Sequence, residues 1–146
     1  MKFSLEITMK TDLSVLPKVK DVYITMLPGN DFREVANKAK ELVQSGFNPV
    51  PHFPARSIKN LNNLRDYVSM CKDFGVKQAL VIGGSAEPIG DYHCSLQILE
   101  TGLFDGFNKS KALLAFDLRK LIEFFAPTIF ANFIRLLIFR GPVIPT

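Results

Sequence analysis

Apolar and polar residues alternate in a repeating order along the first 107 residues of the chain. Four short runs are rich in β-branched and aromatic residues, a composition typical of strands. Between these runs, apolar residues recur every three or four positions, a spacing typical of helices. The predicted strands are FSLEIT (3–8), VYITML (22–27), NPVPHF (48–53) and QALVIGG (78–84).

A helix is predicted after each strand. The clearest begins at Asp31, a residue type that caps helix N-termini, and ends at Gly46; another runs over residues 60–74 and stops at Gly75. The last begins near Tyr92. The apolar faces are Leu13, Leu16 and Val19 in the first helix, Phe32, Val35, Ala39, Leu42 and Val43 in the second, Leu61, Leu64, Val68 and Cys71 in the third, and Leu96, Ile98, Leu99 and Leu103 in the fourth.

Four successive βα units predict parallel strands joined by right-handed crossovers. Two architectures fit this order, a doubly wound sheet and part of a (β/α)8 barrel. A complete barrel needs about 250 residues, so a chain of 146 residues supplies about half of one. The predicted fold class is α/β, a partial (β/α)8 barrel followed by a hydrophobic helical C-terminal tail.

The tail, residues 108–146, has a different composition from the rest of the chain. It holds six of the thirteen Phe residues but one of the nine Gly residues, and residues 121–139 are almost continuously apolar. Such a run is long enough to span a membrane. However, Glu123 and Arg135 would each cost about 2.5–3.5 kcal/mol near a bilayer centre, and Pro127 interrupts a helix. We therefore predict a buried or misfolded hydrophobic tail rather than a membrane span.

The net charge of +4 arises entirely in the tail, because residues 1–107 contain twelve Lys or Arg and twelve Asp or Glu. No basic stripe with interleaved aromatic residues is present in that neutral part, so nucleic-acid binding is not predicted. Cys71 and Cys94 lie far apart without a metal-ligand spacing, which predicts reduced thiols and no metal site. The first residues lack an apolar signal-peptide core, and together these features predict a cytoplasmic protein.

Ligands of parallel α/β folds bind at the carboxyl ends of the strands. Each predicted strand places a polar or glycine feature there: Glu6, Thr25, His52 and the turn 83–85. Each feature also has a structural explanation, namely a salt-bridged strand residue, a β-former, a core histidine and a tight turn. Their recurrence in four successive strands favours a shared site. The turn matches neither GxGxxG nor GxxxxGK[ST], but glycines there let N–H groups face a phosphate or a flavin ring.

The segment NPVPHFPARS combines three prolines with one of the two histidines of the chain. Pro49 and Pro54 fall at the strand ends, where a missing N–H group costs little, whereas Pro51 falls within the ladder. Side-chain alternation predicts His52 on the opposite face from Pro51 and Phe53. The segment therefore predicts a stiff strand end that presents His52, with Arg56, to a ligand.

Several segments together resemble the amino-terminal half of the methylenetetrahydrofolate reductase family. These are FSLEIT, VYITMLPGNDFREVANKAKELVQSGFNPVPHFPARS, GVKQALVIGG and SLQILETGLFD, within residues 3–107. The resemblance implies a (β/α)8 barrel that carries FAD and acts in one-carbon metabolism and methionine biosynthesis. In this family a hydride passes from NAD(P)H to the flavin and then to 5,10-methylenetetrahydrofolate, which becomes 5-methyltetrahydrofolate.

The resemblance also implies roles for individual residues. Glu6 corresponds to the first-strand glutamate, a general acid that helps to open the methylene bridge and that burial would keep protonated near neutral pH. Thr25 and His52 correspond to flavin-contacting residues of the second and third strands. The pair Gly84 and Ser85 falls on the family's Arg-Gly-Asp-like turn, and Tyr92 matches an aromatic residue at the start of the next helix.

The chain departs from the family pattern at two places. The turn reads Gly83-Gly84-Ser85 instead of Arg-Gly-Asp, so the carboxylate that tunes the flavin is absent, and Glu87 lies two residues too late to replace it. After Phe107 the family continues with further βα units, whereas this chain changes abruptly in composition. We therefore predict two parts, a half-barrel over residues 1–107 and a tail over residues 108–146 produced by truncation or a frameshift.

Two main functional hypotheses remain open at this point, beside a third in which the tail anchors the chain to a membrane or a partner. The first is a flavin-dependent reductase homologue that binds FAD, NAD(P)H and a folate substrate. The alternative is a catalytically inactive half-barrel that binds flavin or folate, or assembles with another chain. Because a half-barrel leaves open sheet edges, we predict a homo-oligomer with no membrane partner.

Overall fold

The computed structural model describes residues 4–107, which form an α/β fold with a four-stranded parallel sheet and three α-helices. The predictions for residues 108–146 lie outside the described residues. In chain order the elements are β1 (Leu5–Ile7), β2 (Asp21–Ile24), α1 (Phe32–Gln44), β3 (Asn48–Pro54), α2 (Leu61–Asp73), β4 (Leu80–Ile82) and α3 (Ser95–Leu99), with 3₁₀ turns at Leu13–Val15 and Ala55–Ser57.

The sheet has the order β1-β2-β3-β4, and every neighbouring pair is parallel. One face packs against the three helices in a hydrophobic core that contains Ile24, Phe53 and Val81. Because side chains alternate along a strand, Glu6 and His52 project from the opposite face. We call this second face, defined by Glu6, Tyr23, Thr25 and His52, the site face.

Helix α1 begins and ends where its sequence predicts. The Asp31 side chain accepts a hydrogen bond from the N–H group of Arg33 at 2.9 Å, which caps the first turn. Gly46 ends the helix with a φ of +82°, a conformation that glycine adopts without a Cβ clash. The predicted apolar positions Val35, Ala39 and Leu42 are buried, so the amphipathic pattern is confirmed.

Helix α2 follows the same logic with one exception. The Asn60 side chain accepts a hydrogen bond from the N–H group of Asn63 at 3.0 Å, and Gly75 follows the helix with a φ of +80°. Leu64 and other predicted core positions are buried, but Leu61 is 41% exposed. The prediction of Leu61, the first residue of α2, as a core position is therefore wrong.

The helices predicted after β1 and β4 are shorter than their sequences suggest. A single 3₁₀ turn follows β1, since the Asp12 side chain accepts from the N–H group of Ser14 and Pro17 stands shortly after. Helix α3 spans five residues and begins after Tyr92, where the Gln97 side chain accepts the N–H group of Cys94 at 3.1 Å. Leu96, predicted to be apolar core, is 50% exposed.

The sheet accommodates Pro49 and Pro51 because β4 pairs only with the part of β3 that follows both prolines. The N–H group of Asn48 donates to the main-chain oxygen of Lys20 at 2.9 Å, so every second N–H group of β3 from Asn48 onward points to β2. Pro49 and Pro51 therefore lack only N–H groups that would point toward β4. Pairing with β4 starts at His52, so the missing donors face a position that no strand of residues 4–107 fills.

Two further observations concern membrane-spanning helices and the two cysteines. No helix within residues 4–107 has the length and apolar content needed to cross a bilayer. Cys71 and Cys94 are both free thiols, and burial raises the pKa of Cys71 to about 12.

Candidate functional site

The site face brings three predicted residues together near the carboxyl ends of β1, β2 and β3. The Thr25 hydroxyl donates a hydrogen bond to Oε1 of Glu6 at 2.7 Å. Ile24 aligns with Pro51 in the β2–β3 register, so Thr25 and His52 lie at the same level of the sheet. The predicted convergence of Glu6, Thr25 and His52 on one face is thus present in the structure.

His52 is the most enclosed polar group of this face. The residue is 6% exposed, and its Nε2 atom is buried without a hydrogen-bond partner among the described residues. Its ring meets the Tyr23 ring edge-on at a centroid distance of 6.2 Å. Burial lowers the pKa of His52, and the negative charge of Glu6 opposes that shift. Nε2 of His52 is therefore a hydrogen-bonding atom of the site face that no group within residues 4–107 satisfies.

Glu6 differs from its prediction in one respect. Burial among apolar neighbours was expected to keep this carboxyl protonated, but Glu6 is exposed. The reason is its place on the edge strand β1, which has a paired neighbour, β2, on one side among residues 4–107. Within these residues the hydroxyl of Thr25 orients the carboxyl, and water surrounds the rest of it.

The turn after β4 adds two main-chain donors. Gly84 has a φ of +87°, and a Cβ atom at this residue would lie 3.3 Å from Cβ of Pro54, so both the conformation and the space favour glycine. The N–H groups of Gly84 and Ser85 have no hydrogen-bond partner among residues 4–107. Two such N–H groups in succession can donate to an oxygen or an anion.

Arg56, which its sequence context predicted to face a ligand, donates hydrogen bonds to two main-chain oxygens. Its Nε atom donates to the main-chain oxygen of His93 at 3.0 Å, and its Nη1 atom donates to that of Gly84 at 3.2 Å. The guanidinium therefore binds the loop after β4, a role that the sequence did not indicate because these partners lie 37 and 28 positions away.

Tyr92 is not part of this arrangement. It is 8% exposed and belongs to the hydrophobic core on the helix side of the sheet. Burial raises its pKa, with Asp91 adding to the shift and Arg65 of α2 opposing it. Its predicted flavin contact is therefore not supported by its position, because a core tyrosine on the opposite side of the sheet does not face the site.

A cleft of about 380 Å³ lies between the loops that follow β2, β3 and β4. Sequence reasoning did not identify it, although the Pro28-Gly29-Asn30 loop on its rim is a turn signal. The charged groups Asp31 and Arg33, both at the start of α1, pair with each other at 3.4 Å on this rim. None of the predicted site residues lines the cleft, whose lining is Met26, Pro28, Gly29, Asn30, Asp31, Phe32, Arg33, Ser57, Ile58, Lys59, Asn63, Tyr67, Ala86 and Ile89.

The chain was compared with models of known protein families, and no family model matches it. Residues 4–107 also contain no group of three His, Cys, Asp or Glu side chains able to hold a metal ion. A functional assignment consequently depends on the geometry of the site face and of the β4 turn.

Proposed function

We propose that residues 1–107 form the amino-terminal half of a (β/α)8 barrel of the methylenetetrahydrofolate reductase type. The sheet runs in sequence order and the helices pack on one of its faces. A doubly wound sheet instead reverses its strand order and carries helices on both faces. The observed arrangement supports the barrel over the doubly wound alternative.

The proposed activity is that of a flavin-dependent reductase homologue of cytoplasmic one-carbon metabolism. The observation that carries this proposal is the pairing of Glu6 with Thr25 at 2.7 Å beside the unpartnered Nε2 atom of His52. FAD, when bound, supplies hydride transfer from NAD(P)H. The residues offer hydrogen-bonding atoms of the kind that a flavin ring needs, namely Nε2 of His52 and the N–H groups of Gly84 and Ser85.

Glu6 has the geometry of an oriented proton donor. Since the hydroxyl of Thr25 donates to Oε1, Oε2 is the oxygen left to face a substrate. In the proposed reaction Oε2 of Glu6 delivers a proton to a folate nitrogen as the methylene bridge opens. Glu6 is exposed in these residues, so the folate itself must displace water from the carboxyl for the transfer to proceed.

Flavin binding by the purified full-length chain tests the proposal. We expect added FAD to acquire a perturbed visible spectrum, and His52→Ala to weaken its binding by about tenfold, the value of one lost polar contact. His93→Ala is the matched control, because His93 is exposed and should leave the affinity unchanged. Absence of any FAD binding by the unmodified chain would contradict the proposed function.

A second candidate is a catalytically inactive half-barrel that completes its barrel with another copy. Among the described residues, β1 and β4 are edge strands that pair on one side, and unpaired strand edges template association. Oxidation of NADPH or NADH by the FAD-loaded chain separates the two candidates. Turnover supports the reductase, whereas flavin binding without turnover supports the inactive half-barrel.

A further inference from the structure

Arg56 makes four hydrogen bonds to one loop. It lies in the 3₁₀ turn directly after β3, and the partners in these four bonds fall in residues 83–93. Its side chain donates to the main-chain oxygens of Gly84 and His93. Its main-chain N–H group donates to the oxygen of Gly83 at 3.1 Å, and its own oxygen accepts the N–H group of Ile89 at 3.0 Å.

These contacts determine which way the free donors of the turn point. The described chain contains no cis peptide bond, and in a trans peptide the C=O and the following N–H point in opposite directions. The oxygens of Gly83 and Gly84 both point to Arg56. The N–H groups of Gly84 and Ser85 therefore each point away from the Arg56 atom that holds the preceding oxygen.

We propose that Arg56 is a positioning residue that orients the N–H groups of Gly84 and Ser85 for an acceptor on a bound flavin. This inference rests on the proposed function and identifies what prepares the turn for it. Arg56 joins the end of β3, which carries His52, to the turn after β4. Groups from both elements therefore contact a ligand from fixed relative positions.

The geometry calls for arginine in particular. Two oxygens, those of Gly84 and His93, are held by two different nitrogens of one planar group. Lysine presents a single ammonium nitrogen on a flexible stem and does not reproduce such a fork. Glycine at position 84 complements this arrangement, since an added Cβ atom would lie 3.7 Å from Cβ of Arg56 and 3.3 Å from Cβ of Pro54.

The test compares Arg56→Ala and Arg56→Lys with the control Arg65→Ala in the full-length chain. Arg65 is an exposed arginine of α2 that donates to Asn62 within its own helix. Three quantities are measured: the FAD dissociation constant, amide hydrogen exchange across residues 83–93, and the midpoint of thermal unfolding. Ethylguanidinium is then added to Arg56→Ala to replace the missing group.

We expect FAD binding to weaken at least tenfold in both Arg56 variants, as for the loss of charge-assisted hydrogen bonds. The amide of Ile89 should exchange faster, and ethylguanidinium should restore part of both properties in Arg56→Ala. Arg65→Ala should match the unmodified chain. If ethylguanidinium restores FAD binding in Arg56→Ala, Arg56 acts by positioning the turn. A general loss of stability would instead lower the midpoint of thermal unfolding, and ethylguanidinium would not restore FAD binding.

Unchanged FAD affinity together with unchanged exchange at Ile89 would overturn the inference. If the unmodified chain binds no FAD, the proposed function fails, and amide exchange alone then decides the role of Arg56. Faster exchange confined to residues 83–93 would support positioning of the turn in that case, and uniform or absent change would overturn it.

Discussion

His52 is a histidine in a position that packing alone would assign to an apolar residue. Its neighbours on the sheet are Val50 and Leu80, and all three are buried. A buried polar atom without a partner costs free energy, so Nε2 of His52 makes the folded chain less stable than a satisfied group would. Residues that are costly to the fold in this way are found preferentially at functional sites.

The pH dependence of stability should report this burial. Burial lowers the pKa of His52 in the folded chain, so the unfolded chain, with a pKa near 6.5, binds more protons between the two values. The free energy of unfolding should therefore fall as the pH drops below about 6.5. Urea unfolding from pH 7.5 to pH 5 should show a smaller fall in His52→Gln than in the unmodified chain.

Two variants sharpen that measurement. The negative charge of Glu6 opposes the shift at His52, so Glu6→Gln should increase the loss of stability at low pH. His93→Gln removes the other histidine, which is exposed, and should leave the profile unchanged. If the free energy of unfolding depends on pH equally in the unmodified chain and in His52→Gln, His52 titrates alike in the folded and unfolded chain, and the prediction fails.

Among the secondary-structure elements, strand β3 links the hydrophobic core to the site face. On the helix side, Phe53 stacks on Tyr67 with ring centroids 4.0 Å apart and meets Phe104 edge-on at 5.0 Å. The Tyr67 hydroxyl donates to the main-chain oxygen of His52 at 3.0 Å. Helix α2 thus holds the strand at the residue whose side chain enters the site.

Two substitutions separate the packing and hydrogen-bonding contributions. Phe53→Ala should lower the free energy of unfolding by about 3–5 kcal/mol because it leaves a cavity in a closely packed core. Tyr67→Phe keeps the ring and loses the hydroxyl, which should cost about 1 kcal/mol. Tyr23→Phe, on the partly exposed site face, should change stability by less than about 0.5 kcal/mol. Equilibrium unfolding in urea at constant pH measures all three.

For the molecule as a whole, the two edges that the sheet has within residues 4–107 are the feature with the largest consequence. In a parallel ladder alternate N–H groups point to opposite neighbours. The register therefore turns the N–H groups of Ile7 and Ile82 inward and those of Glu6 and Val81 outward. The outward groups can enter a ladder only with a further strand.

Association through these edges has a specific signature. If copies pair edge to edge, the sedimenting mass should rise from 16.4 kDa toward twice that value with concentration. Amide exchange of Glu6 and Val81 should slow in parallel, while Ile7 and Ile82 stay protected throughout. A doubled mass with rapidly exchanging Glu6 and Val81 amides would instead assign the association to another surface.

Much of the fold follows from local sequence. Asp31 and Asn60 cap the helices that they were predicted to start, and Gly46 and Gly75 end them, because each acts through atoms within a few residues. Strand alternation likewise places His52 opposite Phe53 without knowledge of neighbouring strands. The shared face of Glu6, Thr25 and His52 was predictable because parallel strands align their carboxyl ends.

Tertiary structure decides what depends on distant partners. Tyr92 has an apolar ring and a polar tip, so the sequence allows both core and site, and packing beside α2 places it in the core. The tolerance of Pro51 depends on where β4 begins. Arg56 is assigned by the oxygens of Gly84 and His93, far away in the chain. Local sequence sets dihedral preferences and periodicity, whereas a side chain's final partners are set by the packing of whole elements.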